Sequence, residues 1–345
     1  GLDKPGFFAQ ICTVDFTKAF DRVNHNVVIS KLLTLSVRRS IVLIVYSFLT
    51  SRTKKKLNGH LSTLEHISCG VPQGSKLCPI LVFILVNDAS IDCSRRWKYV
   101  DNLTLGKIVK YGEVPKLQTH LDDLSEWSIA NDVLPKPAKC QVMKISFLRR
   151  VTPDPMFTLN DISLNNVDHM KLLGVTIQSD LKWDIHVADI VSKASRRLYT
   201  LCILKKYDAP LADLVSVFTC YIRPVLEYAS PVWHTSITKQ MINRIENVQK
   251  RACRIILGFQ RYHSYSNALE VLGILSLETR RDTLLYNFGT KLLNSPRYRN
   301  MLPPLKLNNI ATRRLRDSSK STLVSLKCKT DRYMKSTIPV LAKLL

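Results

Sequence analysis

Two hydrophobic patterns alternate over the first 180 residues of the chain. Short apolar runs bounded by polar or turn residues predict strands, whereas longer segments with apolar residues three and four positions apart predict helices. The predicted strands cover residues 11–16, 97–100, 103–105, 140–147, 157–159, 162–164 and 172–177. The predicted helices cover residues 24–35, 40–49, 79–91 and 113–132. Strands that alternate with helices around one hairpin predict an α+β fold.

Two tight hairpins interrupt this pattern. Asn58-Gly59 lies between the short runs 54–57 and 63–67, which is a strong signal for a two-residue turn. Asp101-Asn102 lies between the predicted strands 97–100 and 103–105, and both residue types tolerate left-handed backbone angles. We therefore expect Asp101 and Asn102 at the tip of the second hairpin.

After Trp183 the hydrophobic period becomes helical. One helix carries apolar residues at 187, 191, 194, 198 and 201, a second runs over 211–226, and a third carries apolar residues at 242, 245, 248, 252 and 255. From Arg297 the chain is basic and contains prolines but no long periodic segment, which predicts a loosely ordered tail. We therefore expect an α+β region over 1–180, a helical region over 181–295 and a basic tail over 296–345.

The chain carries a large excess of positive charge. Its 345 residues include 51 basic and 27 acidic side chains, which gives a net charge of +24. With 46% apolar residues it is long enough to form a packed core. A charge excess of this size is typical of proteins that bind a polyanion such as nucleic acid. A basic protein without a polyanionic partner is the alternative.

Part of this charge lies on one side of the third predicted helix, opposite its apolar face. The residues concerned are Arg244, Lys250, Arg251 and Arg254. A helix of this kind can pack inward and lay positive charge along a phosphate backbone. An ordinary solvated face is the alternative interpretation.

Cysteine spacing and hydropathy argue against two other classes of protein. The nine cysteines are scattered, and no two have the C-x-x-C spacing. This pattern favours free thiols in a reducing compartment over a zinc site or a disulfide framework. The longest apolar runs, Ile41–Leu49 and Ile80–Val86, are far shorter than the roughly 20 residues that span a bilayer. We therefore expect no membrane partner.

Two aspartates occupy places where a carboxylate has a chemical use. Asp15 lies near the end of the first predicted strand, and Asp101 lies at the predicted hairpin. A carboxylate at the end of a buried strand is costly to bury without a cation. Two such carboxylates side by side can hold a pair of divalent metal ions, the arrangement that drives in-line phosphoryl transfer in polymerases. Ordinary capping or turn chemistry is the alternative for each aspartate.

Three stretches in chain order carry a family resemblance. They are DFTKAFD at Asp15–Asp21, GVPQG at Gly70–Gly74 and YVDN at Tyr99–Asn102. Further similar segments follow at Asn131–Lys139, Leu172–Val175 and Arg223–Tyr228. In this order the segments resemble the reverse transcriptases of non-LTR (LINE-type) retrotransposons, over about residues 7–290. In that family an aspartate opens the first stretch, a PQG turn forms the second and a Y/F-x-Asp-Asp hairpin forms the third.

The resemblance implies a fold and an activity. The fold is a reverse transcriptase palm, an antiparallel sheet with helices, followed by a helical thumb; the implied piece is C-terminal, with the fingers subdomain truncated. The activity is RNA-directed DNA polymerisation, in which a primer 3′-hydroxyl attacks the α-phosphate of a deoxynucleoside triphosphate. The implied partners are an RNA template, a DNA primer and deoxynucleoside triphosphates, and the implied cofactors are two Mg²⁺ ions, with Mn²⁺ as an alternative. The setting is intracellular, nuclear or cytoplasmic, and the sequence does not indicate an oligomeric state.

The resemblance assigns the catalytic role to Asp15, Asp101, Asn102 and Lys139. Asp15 and Asp101 are the implied metal ligands, and Lys139 is implied to lie near the leaving pyrophosphate, where it can donate a proton or neutralise charge. Asn102 stands where the family has a second aspartate, and hard divalent cations prefer charged oxygen ligands to amide oxygens. We therefore expect strongly reduced polymerisation and a shift towards manganese. A solvated surface lysine is the alternative for Lys139.

The implied nucleotide- and template-binding positions are Phe16, Phe20, Pro72, Gln73 and Gly74. Phe16 is implied to offer its backbone carbonyl, and Phe20 to act as a steric gate against a ribose 2′-hydroxyl. Pro72, Gln73 and Gly74 are implied to form the turn against the nucleotide and the template, where glycine lets backbone approach a ligand closely. A core phenylalanine and a plain surface turn are the respective alternatives.

Two further positions are implied to bind the primer, and two others depart from the family. Leu173 and Gly174 correspond to the primer grip. Ser75 and Cys78 stand where the family more often has threonine and glycine, and we expect the cysteine to restrict the backbone.

Two hypotheses compete with an active polymerase. One is a catalytically inactive remnant that still binds nucleic acid, which the neutral Asn102 favours. The other is a decaying reading frame without a retained role. Binding of a primer–template that is sensitive to salt but not followed by extension distinguishes the first from an active enzyme.

Overall fold

The computed structural model describes residues 2–17, 20–50, 53–54, 65–66, 69–72, 74–113, 116–149, 155–258, 262–306 and 323–345. Within it the chain forms two compact units, Gly1–Met170 and Lys171–Leu345. The boundary therefore lies earlier than residue 180, where we expected it. The reason is that Val175, in the last predicted strand, belongs to the apolar core of the second unit.

The first unit mixes strands and helices, in agreement with the predicted α+β class. Its strands are β1 (Phe7–Asp15), β2 (Thr53–Lys54), β3 (Glu65–His66), β4 (Arg96–Tyr99), β5 (Asn102–Lys110), β6 (Gln141–Ile145), β7 (Thr158–Leu159), β8 (Ile162–Ser163) and β9 (Asn165–Asn166). Its helices are α1 (His25–Thr34), α2 (Arg39–Leu49), α3 (Leu77–Leu85) and α4 (Leu117–Ala130), and Pro137–Lys139 is a 3₁₀ helix. The predicted hairpin residues Asn58 and Gly59 lie outside the described residues, while β2 and β3 on either side of them pair antiparallel.

β1 lies at the centre of a five-stranded sheet with the order β4-β5-β1-β6-β9. β5 pairs antiparallel with β1 over its whole length, from Phe7 opposite Lys110 to Asp15 opposite Asn102. β6 pairs antiparallel on the other side of β1, and β9 runs parallel to β6. The sheet therefore places the C-terminal end of β1 and the N-terminal end of β5 side by side.

Helices cover one face of this sheet. Alternate residues of β1, among them Cys12 and Val14, are buried, which is the period of two expected for a strand with one covered face. They join one apolar core with Val28 of α1, Leu81 of α3 and Leu121 of α4. Each leucine that is fully buried in such a core stabilises the fold by about 1.5–3 kcal/mol relative to an exposed one.

The hairpin formed by β4 and β5 is fixed to the end of α3 by charge. Lys98 of β4 donates to the carbonyl of Val86 at 3.3 Å; Lys31, which belongs to α1, donates to the carbonyl of Leu85 at 2.6 Å and so joins α1 to the same end of α3. Arg96, also of β4, donates to the carbonyl of Asn87 at 3.3 Å. These carbonyls carry the negative end of the helix dipole, which cations stabilise.

The second unit is mainly helical. Its strands are β10 (His169–Leu172), which begins at the boundary, and β11 (Val175–Gln178), and they form a two-stranded sheet. Its helices are α5 (Asp184–Lys206), α6 (Leu211–Val217), α7 (Arg223–Glu227), α8 (Ser230–Trp233), α9 (Lys239–Leu257), α10 (Tyr265–Val271), α11 (Leu277–Asn294), α12 (Asp331–Met334) and α13 (Thr337–Leu344), and Phe218–Ile222 is a π-helix between α6 and α7. The helical character predicted from Trp183 onward is confirmed.

The prediction of a loosely ordered tail is wrong for residues 323–345. Leu323 and Leu341 are fully buried and share an apolar cluster with Leu285 and Leu292 of α11. Gly289 makes room for this contact, because a Cβ there would lie 2.6 Å from Cδ2 of Leu341. α13 was missed because it is short and its apolar face becomes meaningful only against α11. Across the described part of the chain, no helix is long and apolar enough to cross a membrane.

Trp233 is fully buried in the apolar core of the second unit. The ring of His186 lies 5.6 Å from its ring and the ring of His234 lies 6.5 Å from it. His234 Nδ1 accepts from Arg281 Nε at 3.2 Å, so its Nε2 is the protonated nitrogen and donates to Asp282 Oδ1 at 2.9 Å. Burial is the main cause that lowers the pKa of His234, and the imidazole is neutral in the fold.

We expect the second unit to lose stability in acid because of His234. The unfolded chain takes up a proton near the ordinary histidine pKa of 6.5, whereas folded His234 does so only at lower pH, so the free energy of unfolding falls as the pH drops below about 6.5. Urea unfolding at about pH 7.5 and about pH 5.5 measures this loss. The loss should be smaller in His234→Gln than in the unchanged chain. The exposed His263, changed to Gln, is the matched control; an equal acid loss in all three proteins contradicts the assignment.

Candidate active site

The end of β1 lies directly beside the start of β5. Asp15, the last residue of β1, is the register partner of Asn102, the first residue of β5. Partners in an antiparallel ladder project their side chains from the same face, with Cβ atoms about 5 Å apart. Two residues that the sequence singled out separately therefore face one another.

The turn between β4 and β5 consists of Val100 and Asp101, because Tyr99 pairs with Asn102. The expected tip at Asp101-Asn102 is wrong by one residue, since pairing with Asp15 draws Asn102 into β5. Val100 has a φ of +55°, and a positive φ at the first turn residue alone is the pattern of a type II′ turn, where glycine is usual. A β-branched residue in this conformation is strained, and such strain is concentrated at functional sites.

Each of the two carboxylates, Asp15 and Asp101, has a polar neighbour. Asn102 Nδ2 donates to Asp101 Oδ1 at 3.3 Å, and Lys139 Nζ lies 3.3 Å from Asp15 Oδ2. The Lys139 side chain is 60% exposed and that of Asp15 is 29% exposed. An ion pair this exposed contributes about 0–1 kcal/mol, so a ligand can displace the ammonium at little cost.

Backbone pairing beyond β1 explains how Lys139 reaches Asp15. Thr17 donates its N–H to the carbonyl of Leu134 at 2.8 Å, and Lys136 donates its N–H to the carbonyl of Asp15 at 2.8 Å. The 3₁₀ helix Pro137–Lys139 follows at once and turns the lysine back over the strand end. The structure thus brings Asp15 and Lys139 together.

Phe16 and Phe20 have different surroundings. The ring of Phe16 is buried and its centroid lies 6.1 Å from that of Trp127, so its backbone is the part left for a ligand. Phe20 packs partly against the core and also lines a cavity of about 410 Å³. The other residues that line this cavity are Gly74, Ser75, Lys76, Cys78 and Pro79.

Two backbone hydrogen bonds and one side-chain contact hold the two sides of this cavity together. Val71 donates its N–H to the carbonyl of Phe20 at 2.9 Å, and Gly70 donates its N–H to the carbonyl of Val23 at 2.8 Å. His25 Nε2 lies 2.8 Å from the carbonyl oxygen of Gly70. The segment that follows Asp15 is therefore fixed to the segment that leads into the predicted PQG turn.

The predicted PQG turn is described in part. Gln73 lies outside the described residues, Pro72 is half-buried and Gly74 has a φ of +94°, a conformation that favours glycine. Ser75 Oγ accepts from the N–H of Cys78 at 3.2 Å at the start of α3. The expectation that Cys78 restricts the backbone is wrong, because it is an ordinary buried residue of α3, where burial raises the pKa of its thiol.

In the second unit, Leu173 and Gly174 form the turn between β10 and β11. Leu173 is 47% exposed, and both residues have a positive φ, of +47° and +86°. Tyr228 Oη donates to the carbonyl of Leu173 at 2.9 Å. Sequence reasoning placed Tyr228 in a similar segment but gave it no role, and the pairing of a tyrosine with a Leu-Gly turn leaves no signal in a single sequence.

The basic side of α9 carries the charges that its helical period predicts. Arg244, Arg251 and Arg254 are exposed and Lys250 is half-buried, whereas the opposite side is buried in the core of the second unit. Lys250 and Arg254 lie over the rings of Tyr265 and Tyr262, at 5.2 Å and 5.1 Å from the ring centroids; Tyr262 and Tyr265 follow α9 along the chain. Arg244 and Arg251 are the two arginines best placed for an external partner.

The donor atoms where β1 ends and β5 begins suit a hard divalent cation. Asp15 and Asp101 supply carboxylates, and Asn102 supplies an amide oxygen. Mg²⁺ is commonly bound by one or two carboxylates while substrate phosphates complete its shell, so this donor set fits. Within the described ranges, no group of three His, Cys, Asp or Glu side chains is arranged around a metal position.

Comparison with known proteins agrees with this geometry. The family model described as reverse transcriptase (RNA-dependent DNA polymerase) matches residues 9–177, which include most of β1, the predicted PQG turn and the β4–β5 hairpin. Residues 9–177 belong to the reverse transcriptase family. The match covers every predicted catalytic position and ends within β11.

Relatives of the reverse transcriptase domain come from mobile elements. The chain is 26% identical over 298 residues to the RNA-directed DNA polymerase from mobile element jockey of Drosophila melanogaster. This alignment covers 81% of this chain and 31% of the relative. It is 24% identical to the Drosophila funebris jockey polymerase, over 74% of this chain and 29% of the relative. The chain thus spans about a third of the length of the curated relatives it matches.

A solved structure also resembles the chain. Telomerase from Candida tropicalis in complex with a fragment of telomeric RNA aligns with a TM-score of 0.40 at 13% identity, over 85% of this chain and 48% of that chain.

Gly70 is a residue of the reverse transcriptase domain that sequence reasoning left without a role. Its φ is +86°, and a Cβ there would lie 2.6 Å from the carbonyl oxygen of Asp21. We expect Gly70→Ala to destabilise the first unit by about 2 kcal/mol or more, because backbone angle and contact both oppose a side chain. Urea unfolding measures the change.

Gly112→Ala is the matched control for this prediction. Gly112 has nearly the same φ, +85°, but a Cβ there would meet no atom within 4 Å. Equal losses in the two variants would mean that the contact with Asp21 adds nothing.

Proposed function

We propose that the reverse transcriptase domain polymerises DNA on an RNA template, at a rate lowered by Asn102. The observation that supports this most directly is the register pair Asp15 and Asn102, with Asp101 in the adjoining turn and Lys139 Nζ at 3.3 Å from Asp15. The proposed partners are an RNA template, a DNA primer and deoxynucleoside triphosphates, inside the cell in the nucleus or the cytoplasm. In this proposal the first unit is the palm and the helical second unit is the thumb.

Asp15 and Asp101 would hold two divalent ions, Mg²⁺ or alternatively Mn²⁺. When bound, such ions activate the primer 3′-hydroxyl and neutralise charge on the transferring phosphoryl group. The backbone carbonyl of Phe16 is a third oxygen donor, and its buried ring keeps that stretch of backbone in place.

The other residues of the first unit orient the nucleotide. Once the substrate has displaced the Lys139 ammonium from Asp15, Lys139 Nζ can deliver a proton to the departing pyrophosphate. The ring of Phe20 is at the wall of the cavity, where it would exclude a ribose 2′-hydroxyl. Pro72, Gln73 and Gly74 would belong to the turn that contacts the incoming nucleotide and the template, and Leu173 with Gly174 in the second unit would contact the primer.

A nucleic-acid-binding protein without polymerisation is the second candidate. The observation that favours it is the charge of the site: Asn102 is neutral, and the ammonium of Lys139 already lies against Asp15. A site with fewer free negative charges binds divalent ions more weakly. Binding by the basic side of α9 does not depend on these residues.

Restoring the carboxylate at position 102 should raise polymerisation. Asn102→Asp places a third carboxylate directly across the ladder from Asp15 and increases the charge that holds divalent ions. We expect extension of a primer on an RNA template to rise at least about tenfold with Mg²⁺, because removing even a residue that only orients a metal ligand typically lowers activity by tenfold or more. The rise should be smaller with Mn²⁺.

The controls separate the two candidate functions. Asp15→Asn in the Asn102→Asp chain should abolish extension while leaving primer–template binding unchanged. An equal rate for the unchanged and the Asn102→Asp chains would contradict the role given to Asn102. Absence of extension in both, with binding retained, would favour the binding protein.

The basic side of α9 should contribute to binding through phosphate contacts. We expect the double change Arg244→Gln and Arg251→Gln to weaken primer–template binding equally for all sequences. It should also reduce the slope of log affinity against log salt concentration by about 1 per arginine. Fluorescence anisotropy across a salt series measures this slope.

Lys291→Gln with Lys343→Gln is the charge-matched control, since both lysines are exposed on other helices of the second unit. If the control lowers the slope as much as the arginine changes do, only net charge matters and α9 has no special role.

A further inference from the structure

The turn between β10 and β11 has a backbone conformation that its sequence does not favour. Leu173 and Gly174 both have a positive φ, +47° and +86°, which is the pattern of a type I′ turn. Asn, Asp and Gly are the usual residues at the first position, and a leucine there crowds its Cβ against the backbone. Some contact outside the turn must therefore hold it.

Tyr228 supplies that contact in two ways. Its hydroxyl donates a hydrogen bond to the carbonyl of Leu173 at 2.9 Å. Its ring lies against Gly174, where a Cβ would be 3.1 Å from Cε1 of the tyrosine. Gly174 is thus needed both for the backbone angle and for the space that the ring occupies.

Tyr228 is itself fixed from the core. Trp233 Nε1 donates to the carbonyl of Tyr228 at 3.1 Å, and Trp233 is fully buried. Ala229, which follows, has a φ of +50° and directs the chain into α8. The backbone of Tyr228 is therefore anchored while its side chain remains 55% exposed beside the 47% exposed Leu173.

We propose that Tyr228 is a positioning residue for the primer strand: it holds the Leu173-Gly174 turn in the conformation that meets the primer end. The inference rests on the proposed function, in which this turn contacts the primer. Tyr228 acts through the turn, since its hydroxyl is committed to the carbonyl of Leu173.

The first part of the test concerns the turn in the free protein and requires no activity. Tyr228→Phe removes the hydroxyl and keeps the ring. We expect hydrogen exchange of the peptide across the turn to become about fivefold faster, the effect of losing one typical hydrogen bond, while the rest of the second unit is unchanged. Tyr199→Phe, a change at an exposed tyrosine of α5, is the control and should leave the turn unaltered. Unchanged exchange in Tyr228→Phe overturns the inference.

The second part uses a primer with a photoreactive 3′-terminal nucleotide annealed to an RNA template. We expect it to crosslink to the peptide across the turn in the unchanged chain. The yield should fall about tenfold in Tyr228→Phe, because small misplacements strongly reduce reaction between positioned groups, while equilibrium binding stays within about twofold. A general loss of structure would instead lower binding and crosslinking together.

The outcomes distinguish this inference from the proposed function. Crosslinking at the turn that is equal in the unchanged and Tyr228→Phe chains overturns the positioning role and leaves polymerisation standing. Crosslinking of the unchanged chain elsewhere, with extension by Asn102→Asp, overturns the primer contact of the turn alone. Absence of both primer–template binding and extension in every chain overturns the proposed function and this inference with it.

Discussion

Pairing of β1 with β5 is the interaction on which the candidate active site depends. The ladder runs without interruption through the apolar centre of the sheet to the pair Asp15 and Asn102. A shift of one residue would turn every side chain of a strand to the opposite face and expose Leu103 and Leu105, each worth about 1.5–3 kcal/mol when buried. Apolar residues that take no part in chemistry therefore fix the register of the polar ones.

The same register creates a conflict between charge and stability. Like charges directly opposite one another in a ladder destabilise a sheet, so an aspartate at position 102 would oppose Asp15 whenever no cation is bound. Asn102 removes this repulsion and donates to Asp101, and Lys139 neutralises Asp15. The site is thereby more stable without a bound metal ion, and its affinity for divalent ions is lower. A gain of stability at the cost of function is the usual result when a strained or charged site is relaxed.

The sequence was most informative where local patterns determine structure, and least where distant residues do. The hydrophobic period correctly predicted β1, α1, α2 and the helices after Trp183, because each buries its own face. Turn propensity misplaced the hairpin tip, since pairing with Asp15 decides where β5 begins. α13 was missed because its burial depends on the space beside Gly289, and the contact of Tyr228 with Leu173 joins residues that are far apart in the chain.

Val100 and Leu173 show how both units maintain turns against backbone preference. Each is a bulky residue with a positive φ, a conformation that persists only when surrounding contacts over-determine it. The strand pairs of β4 and the cations that join β4 to α3 restrain Val100, while Tyr228, anchored by Trp233, restrains Leu173. Glycine at either position would relieve the strain and would also free the turn. Both turns therefore have a fixed geometry at a cost in folding energy.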